Sequence, residues 1–270
     1  MTNHTFFVIL HVIKKDEVKN MFAYKCIVSY DGSRYNGWQK QGNTSNTIQE
    51  KIENVLSRML DENIEIFGSG RTDAGVHALA QTFHFHCGLH ITNEYDVPDF
   101  LSAANSFLPK DIRIQSIEEC DLRFHARLNA KGKTYCYRID TSPYGNLFIR
   151  NFSHHIPQKL DMDAIKKGAD LLIGTHDYKS FCSNKRFKKS SIRTIYTIEI
   201  IEKDEIIEIL YHGNGFLYNM VRIMTGTLIE IGLGIREVQS IEIALSECNR
   251  SFAGHTAPAQ GLFLVSVDYE

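Results

Sequence analysis

The sequence predicts an α+β protein built from two halves that share the ferredoxin-like element order β-α-β-β-α-β. Short apolar segments with strand-like alternation are interspersed with segments whose apolar residues recur at helical spacing. That order of elements occurs twice along the 270 residues. The chain is also long enough, at 43% hydrophobic residues, to bury the core of such a fold. We therefore expect each half to be a mainly antiparallel sheet with helices on one side, and the cleft between the halves to be the natural site.

The first half begins with a predicted strand over residues 24–30, which a turn at residues 31–33 ends. A helix over 48–60 follows, because Thr47 and Glu50 have the spacing of a capping box and apolar residues then recur at helical intervals. The remaining elements are strands at 64–67 and 82–86, a helix at 97–107 that ends before Pro109, and a strand at 112–117.

The second half begins with a strand over residues 133–139, with Tyr135 and Tyr137 on one face. The next elements are a helix at 160–173, a hairpin at 195–201 and 205–211, helices at 216–233 and 241–249, and a strand at 262–269. The boundary falls near residues 123–131. We therefore expect an N-terminal half at 21–125 and a C-terminal half at 126–270, after an extension at 1–20 that is not part of the fold.

Composition limits the class of protein. Thirty Lys plus Arg against thirty-two Asp plus Glu give a formal charge of −2, which argues against a protein that holds nucleic acid by bulk charge. The six cysteines are scattered, a pattern typical of reduced thiols in a cytoplasmic protein. Apolar runs fall short of the roughly 18 residues of a membrane span, so we expect no membrane association. These figures favour an enzyme or a small-molecule binder.

The densest polar segment is the loop over residues 68–77, which holds three glycines, Arg71, Asp73 and His77 between two strands. A carboxylate beside a guanidinium there is expected to have a lowered pKa. An ionised carboxylate on a rigid loop can act as a nucleophile or base. The structural alternative is that residues 73–75 simply form an Asx turn.

A second arginine lies in the segment 213–222, where a Gly-Asn-Gly turn is predicted to lead straight into a helix whose free amides could bind an anion. Arg222 lies one turn beyond Tyr218, so both share a face. A mid-helix arginine among apolar residues needs a partner if it is buried. Exposure with a snorkelling stem is the alternative that the sequence leaves open.

Other kinds of site lack support in the sequence. His84 and His86 alternate on one strand, but no further ligands stand at zinc spacing, so the polar face of a strand is preferred and no metal is expected. The chain has no Gly-x-Ser-x-Gly elbow, no Walker loop and no dinucleotide fingerprint, so no nucleotide cofactor is expected.

Basic residues are concentrated in two acid-free runs, one between Leu122 and Ile139 and one between Tyr178 and Ile198. Aromatic residues are interleaved with them. This combination is typical of surfaces that contact phosphates and stack on flipped or single-stranded bases. Each run alone is more often a solvated surface, so both interpretations stay open. The basic residues that would contact the nucleic acid are Arg123, Arg127, Lys133, Lys185, Arg186, Lys188 and Lys189.

These residues resemble the tRNA pseudouridine synthase A family. The loop GRTDAGVHA at 70–78 is similar to the family's catalytic motif and is highly specific. Further similar segments follow the family order from Tyr24 to the C-terminus, whereas residues 1–20 depart from it. They are YDG at 30–32, GWQKQ at 37–41, LPKDI at 108–112, RFHAR at 123–127, KTYCY at 133–137, HDYKSF at 176–181, MVR at 220–222 and APAQGL at 257–262.

The resemblance implies that the chain isomerises uridine to pseudouridine at positions 38, 39 and 40 of the tRNA anticodon stem-loop, in the cytoplasm. It also implies two RRM-like halves in a continuous sheet, a homodimer, tRNA as partner and no cofactor. By carry-over, Asp73 is the catalytic aspartate, Arg71 helps to displace the uridine, Tyr135 stacks on the substrate and Arg222 pairs with the aspartate. The supporting residues are Thr72, Gly75, His77 and Leu262.

The sequence leaves alternatives open for both the mechanism and the class of protein. Asp73 could add to C1′ of the ribose or take the C2′ proton to give a glycal. A noncatalytic RNA-binding protein would tolerate the loss of Asp73, and a small-molecule isomerase or hydrolase would not need the basic runs. A paralogue with a different preference among tRNA positions is equally compatible with the sequence.

Overall fold

The structure, a computed structural model, describes residues 20–184 and 190–270. The expected extension therefore lies outside the described residues except for Asn20. Four of the proposed RNA contacts, Lys185, Arg186, Lys188 and Lys189, also lie outside them. Within the described part, no helix is long and apolar enough to cross a membrane.

The first half follows the expected order of elements. It consists of β1 (Phe22–Tyr30), α1 (Ile48–Leu60), β2 (Phe67–Gly68), β3 (His77–Cys87), α2 (Ile91–Glu94), α3 (Val97–Phe107) and β4 (Ile112–Cys120). Its strands are arranged β4-β1-β3, with β2 on the far side of β3. The predicted Thr47 cap is confirmed, because the Thr47 side chain accepts from the Glu50 amide at the start of α1.

The strand expected at 64–67 was wrong in extent, because β2 has only two residues. Side chains of α1 bind the main chain that a ladder would otherwise use. The Glu53 carboxylate accepts from the Ile66 amide at 3.1 Å, and the Gln49 amide donates to the Ile66 carbonyl at 3.1 Å. Ile64 and Ile66 are thereby buried under the helix and are not available to lengthen the sheet.

The second half repeats the arrangement with additional strands. It consists of β5 (Gly132–Asp140), β6 (His154–His155), α4 (Met162–Leu171), β7 (Gly174–Asp177), β8 (Ile192–Lys203), β9 (Ile206–Gly213), α5 (Met220–Gly232), α6 (Ser240–Glu247) and β10 (Leu262–Asp268). Its strands are arranged β10-β5-β9-β8-β7, with β6 on β5. The sequence did not predict β7, a four-residue edge strand.

One sheet joins the two halves, and it is antiparallel except where β10 pairs with β3 and β6 with β5. The α+β prediction with a mainly antiparallel sheet is therefore confirmed. Along one edge, β3 pairs first with β10, through His77 and Ala78, and then with β2, through Phe83 and His84. The loop between β2 and β3 therefore leaves and re-enters the sheet where the halves meet.

Apolar side chains of one sheet face pack against the helices to form the core. Phe83 and Phe85 of β3, Tyr137 of β5 and Tyr211 of β9 are fully buried in it. His84 and His86 share the other face of β3, as the predicted polar strand face requires, but His84 is buried there. The Ala126 amide donates to its Nδ1 at 3.1 Å, and the side chain is buried, which lowers its pKa to about 4.

Candidate active site

A cavity of about 850 Å³ opens at the junction of the two halves. Its wall is formed by the β2–β3 loop, by β5 and by the segment between β9 and α5. This volume is within the usual range for sites that hold a small ligand or a single nucleotide. The lining includes seven residues that the sequence had singled out, namely Arg71, Thr72, Asp73, Arg127, Lys133, Tyr135 and Leu262.

The β2–β3 loop is held from below by the segment after β1. The Trp38 amide donates to the Thr72 carbonyl at 3.0 Å, and the Tyr30 hydroxyl bonds to Thr72 Oγ1 at 2.8 Å. The Gly32 amide donates to His77 Nδ1 at 3.1 Å. A side chain at Gly32 would clash with the Val76 carbonyl, which its Cβ would approach to 2.0 Å. The loop is therefore rigid because buried main-chain and side-chain bonds fix it.

Asp73 stands at the first position of a tight turn. The Val76 amide donates to the Asp73 carbonyl at 3.1 Å, and Gly75 has a φ of +79° at the third position, where an L side chain is strained. The turn is thus closed by the main chain, and not by the Asx turn that the sequence had left open. The carboxylate remains available to face the cavity and Arg222.

Arg222 approaches that carboxylate from the first turn of α5. Its Nη1 lies 3.5 Å from Asp73 Oδ2, its Nε donates to the Ala257 carbonyl at 2.7 Å, and Nη1 also donates to Asn219 Oδ1 at 3.0 Å. The side chain is 17% exposed. Arg222 is therefore a partly buried cation held through Nε and Nη1, and not the snorkelling surface residue that the sequence left as the alternative. Its position is notable because a helix N-terminus disfavours cations.

Two opposing effects act on the Asp73 carboxyl. Burial raises its pKa, and the nearby Arg222 guanidinium lowers it, with burial the larger effect. The lowered pKa expected from the sequence was therefore wrong in sign. Arg71, the neighbour on which that expectation rested, bonds to Gln39 instead. A carboxylate with a raised pKa is a stronger base than one locked in a close ion pair.

Arg71, on the same loop as Asp73, is held by a residue of another segment. Its Nε donates to Gln39 Oε1 at 3.1 Å, and the side chain is exposed. Gln39 is itself oriented by Gln49, whose Oε1 accepts from the Gln39 amide at 2.7 Å. The guanidinium is thus directed by a hydrogen-bonded chain that begins on α1, while it remains accessible to a ligand.

Tyr135 lines the cavity from β5. It is 9% exposed, and its ring meets the Phe216 ring edge to face at 5.1 Å between centroids. Burial, together with the Asp73 carboxylate, raises the pKa of the Tyr135 phenol, so it stays neutral at physiological pH. Leu262, at the start of β10, adds an apolar surface to the same wall.

The described basic candidates differ in position. Arg127 and Lys133 line the cavity, whereas Arg123 is exposed but does not line it. The Lys133 ammonium donates to the Ser69 carbonyl at 2.7 Å, and burial lowers its pKa to about 8. Lys133 therefore holds the base of the β2–β3 loop as well as contributing charge to the cavity. Arg193, which the sequence placed in the second acid-free run, also lines it.

The anion site expected at a helix start after the Gly-Asn-Gly turn was wrong. α5 begins at Met220, four residues later than predicted, because Asn219 adopts a left-handed conformation with a φ of 61°. Asn214 and Gly215 line the cavity from the intervening loop.

Two functional contacts were missed from the sequence. Gln39 and Asn219 lie in the segments 37–41 and 213–222, but the sequence assigned a role to neither residue. An asparagine just before an apolar helix is a signal for a cap, yet its oxygen bonds to Arg222 instead.

The chain is similar to known proteins over most of its length. Residues 26–129 and 169–270 match the model of the family described as tRNA pseudouridine synthase. A protein of Bacillus cereus named tRNA pseudouridine synthase A 2 is 44% identical over 92% of this chain and 100% of its own length. A protein of Bacillus sp. strain KSM-64 named tRNA pseudouridine synthase A is 45% identical over 92% of this chain and 100% of its own length. A protein of the same name from Geobacillus sp. strain WCH70 is 44% identical over 91% of this chain and 98% of its own length.

Proposed function

The chain belongs to the tRNA pseudouridine synthase A family, and from that premise we propose that it isomerises uridine to pseudouridine in the tRNA anticodon stem-loop, with Asp73 as the catalytic carboxylate. The observation that carries this proposal is the placement of Asp73. It lies on a rigid turn in the cavity wall, with Arg222 at 3.5 Å and Tyr135 in the same wall.

The reaction breaks the N1–C1′ bond, turns the uracil and joins C5 to C1′, while C5 loses its proton and N1 gains one. The ionised Asp73 carboxylate can add to C1′, or it can take the C2′ proton and give a glycal. Both routes need an ionised carboxylate with substantial basicity. The partly buried pair of Asp73 and Arg222 supports either route, because burial raises the pKa while the guanidinium keeps the charged form accessible.

The target uridine has to leave its base stack before Asp73 can reach the ribose, which costs a few kcal/mol. Arg71, exposed and directed by Gln39, is proposed to fill the gap left in the tRNA. Tyr135 is proposed to stack on the flipped base inside the cavity, since its ring stands in the wall beside Asp73. Thr72, Gly75, His77 and Leu262 support this arrangement by holding the loop and closing the wall.

The two halves are proposed to contribute different parts of the site. The half at 21–125 supplies the aspartate loop, and the half at 126–270 supplies Tyr135 and Arg222. The tRNA backbone is proposed to run over the basic residues around the cavity. Those proposed contacts are Arg123, Arg127 and Lys133 and, outside the described residues, Lys185, Arg186, Lys188 and Lys189.

We further propose that the enzyme works as a homodimer in the cytoplasm. Tyr144, Leu147 and Phe148 form an exposed apolar cluster after β5, which supports a protein contact. Buried thiols such as Cys26 and Cys136 suit a reducing compartment. Sedimentation of the protein at micromolar concentration tests the dimer: a single species with the mass of one chain would contradict it.

The experiment that tests the function uses tRNA labelled with tritium at C5 of uridine. Formation of the C5–C1′ bond releases that tritium to water, so release reports turnover directly. Carbodiimide modification followed by primer extension then maps the product. We expect release from the labelled tRNA and new stops in the anticodon arm. Absence of release from any tRNA would contradict the proposed activity.

A further inference from the structure

Asn219 lies between β9 and α5, three residues before Arg222, and has a left-handed backbone with a φ of 61° and a ψ of 8°. An asparagine at the start of a helix ordinarily uses its side-chain oxygen to accept a main-chain amide of the first turn. Here that oxygen does not cap α5. It accepts instead from Arg222 Nη1 at 3.0 Å, while the Asn219 amide donates to Ser183 Oγ at 3.1 Å.

The same guanidinium nitrogen that Asn219 binds is the one that faces Asp73. Nη1 lies 3.0 Å from Asn219 Oδ1 and 3.5 Å from Asp73 Oδ2. An unrestrained bond between an arginine and a carboxylate closes to about 2.7–2.9 Å. The Ala257 carbonyl holds Nε of Arg222 at 2.7 Å, so the planar guanidinium can approach the aspartate only by turning as one unit. Its bond to Asn219 Oδ1 restrains that movement, because Nη1 is the nitrogen that would have to close on Asp73.

We infer that Asn219 is a positioning residue that holds Arg222 away from a close ion pair with Asp73 and so keeps the carboxylate reactive. This inference rests on the proposed function. A carboxylate in a tight bond with arginine is a weaker nucleophile and base, because the bond stabilises its charged form. A carboxylate at 3.5 Å keeps the benefit of the positive charge without that loss.

The charged and titratable groups near the Asp73 carboxyl come from several elements. Arg222 faces it from α5 and Tyr135 from β5. The cavity wall also carries Arg71 on the same loop, and it carries Arg127, Lys133 and Arg193. These groups are unchanged by Asn219→Gly, so a change in the titration of Asp73 in that variant would report the altered distance to Arg222.

The test uses two substitutions with opposite expected effects. Asn219→Gly keeps the left-handed backbone, which glycine adopts freely, and removes the oxygen. Arg222 can then close on Asp73. We expect the single-turnover rate on tritiated tRNA to fall roughly tenfold, since a positioned acid–base group contributes on the order of 10²- to 10⁴-fold. The acid limb of the pH–rate profile should move to lower pH, and the Kd for tRNA should not change.

Asn219→Asp retains an oxygen acceptor of the same size and adds a negative charge. It should move the acid limb to higher pH, both because it holds Arg222 more strongly and because its charge raises the pKa of Asp73 directly. Asp61→Gly, which replaces an exposed residue with a φ of 48° at the end of α1, is the matched control and should leave the profile unchanged.

Opposite shifts of the acid limb in the two variants would support the inference. Unchanged profiles, shifts in the same direction, or a loss of rate that is explained by weaker tRNA binding would overturn it. If Asn219→Gly does not fold, as judged by thermal melting, Asn219→Ala takes its place, because it also removes the oxygen and has the same expected shift to lower pH. An active Asp73→Asn variant would instead reject the proposed function, so the two failures can be distinguished.

Discussion

Single side chains determine how reactive the site is, and Asp73 is the most informative of them. Its carboxyl is partly buried, and burial raises its pKa more than Arg222 lowers it. The folded protein therefore binds the Asp73 proton more tightly than the unfolded chain does. The ionised Asp73 carboxylate therefore lowers the free energy of unfolding. Such a loss of stability is common where residues serve a reaction.

The first prediction concerns stability and pH. Because the folded-state pKa of Asp73 is raised, its stability contribution is present below the ordinary carboxyl pKa and is lost as pH rises through the folded-state value. Asn cannot ionise, so Asp73→Asn should melt at the same or a higher temperature than the wild type at pH 7. The difference should shrink toward pH 4. Thermal melts across this pH range measure it.

Asp111 provides a control of opposite sign. Although burial alone would raise its pKa, hydrogen bonds from Tyr35 and Arg34 lower it. Its contribution is therefore present at neutral pH and lost as pH falls through the folded-state value. Asp111→Asn should melt below the wild type at pH 7, with a smaller difference at low pH. If Asp73→Asn also melted below the wild type at pH 7, this result would contradict a raised folded-state pKa of Asp73.

Elements place these side chains, and the β2–β3 loop is the decisive one. This loop lies at the point where the neighbour of β3 changes from β10 to β2. The turn at residues 73–76 then presents the carboxylate to the cavity. A short loop anchored at both ends on one sheet holds its reactive group more accurately than a free loop would.

The second prediction addresses that turn. Gly75→Ala forces an L side chain into a φ of +79° and brings its Cβ within 3.3 Å of Ala259 Cβ. We expect a loss of about 1 kcal/mol in the free energy of unfolding. Turnover should fall roughly tenfold or more, because a displacement of about 1 Å can cost 10²-fold. Urea unfolding and tritium release measure the two effects.

Gly234→Ala separates strain from function. Gly234 also has a positive φ, of +69°, but its Cβ would meet nothing within 4 Å. This variant should lose similar stability and keep its turnover per folded molecule. Equal losses of turnover in both variants would mean that the Gly75 turn has no special part in positioning Asp73.

At this scale the sequence predicted the order of elements well, because periodicity and caps are local properties. It did not predict the short β2, since the competing bonds from Gln49 and Glu53 depend on how α1 packs. It also placed the start of α5 too early, because the left-handed conformation of Asn219 is not visible in apolar periodicity. The pairing of Asp73 with Arg222 joins positions 149 residues apart, and only the family resemblance suggested it.

The whole molecule shows why the net charge of −2 is a poor guide to its partner. Two acids on β8 and β9 form ion pairs, Glu202 with Lys166 and Glu208 with Arg138. Among the described residues that line the cavity there are four basic side chains and one carboxylate, Asp73. A protein with balanced total charge can therefore present a basic cleft to a polyanion.

The third prediction tests that cleft. Arg127→Gln should weaken tRNA binding and reduce the slope of log Kd against log salt concentration by about one, the value for one lost phosphate contact. Lys166→Gln removes a basic residue that is paired with Glu202 and does not line the cavity, so its slope should match the wild type. Filter binding over a range of KCl concentrations measures both, and equal slopes in all three proteins would contradict a basic cleft.

We propose that Asp73 performs the isomerisation, and a single-turnover assay of Asp73→Asn with uridine-5-tritiated tRNA tests this role. The substitution keeps the size of the side chain and the contacts of the surrounding loop, and it removes only the ionisable oxygen. We expect the Asp73→Asn variant to bind tRNA with wild-type affinity and to release no detectable tritium. Release at the wild-type rate by a folded Asp73→Asn protein would contradict it.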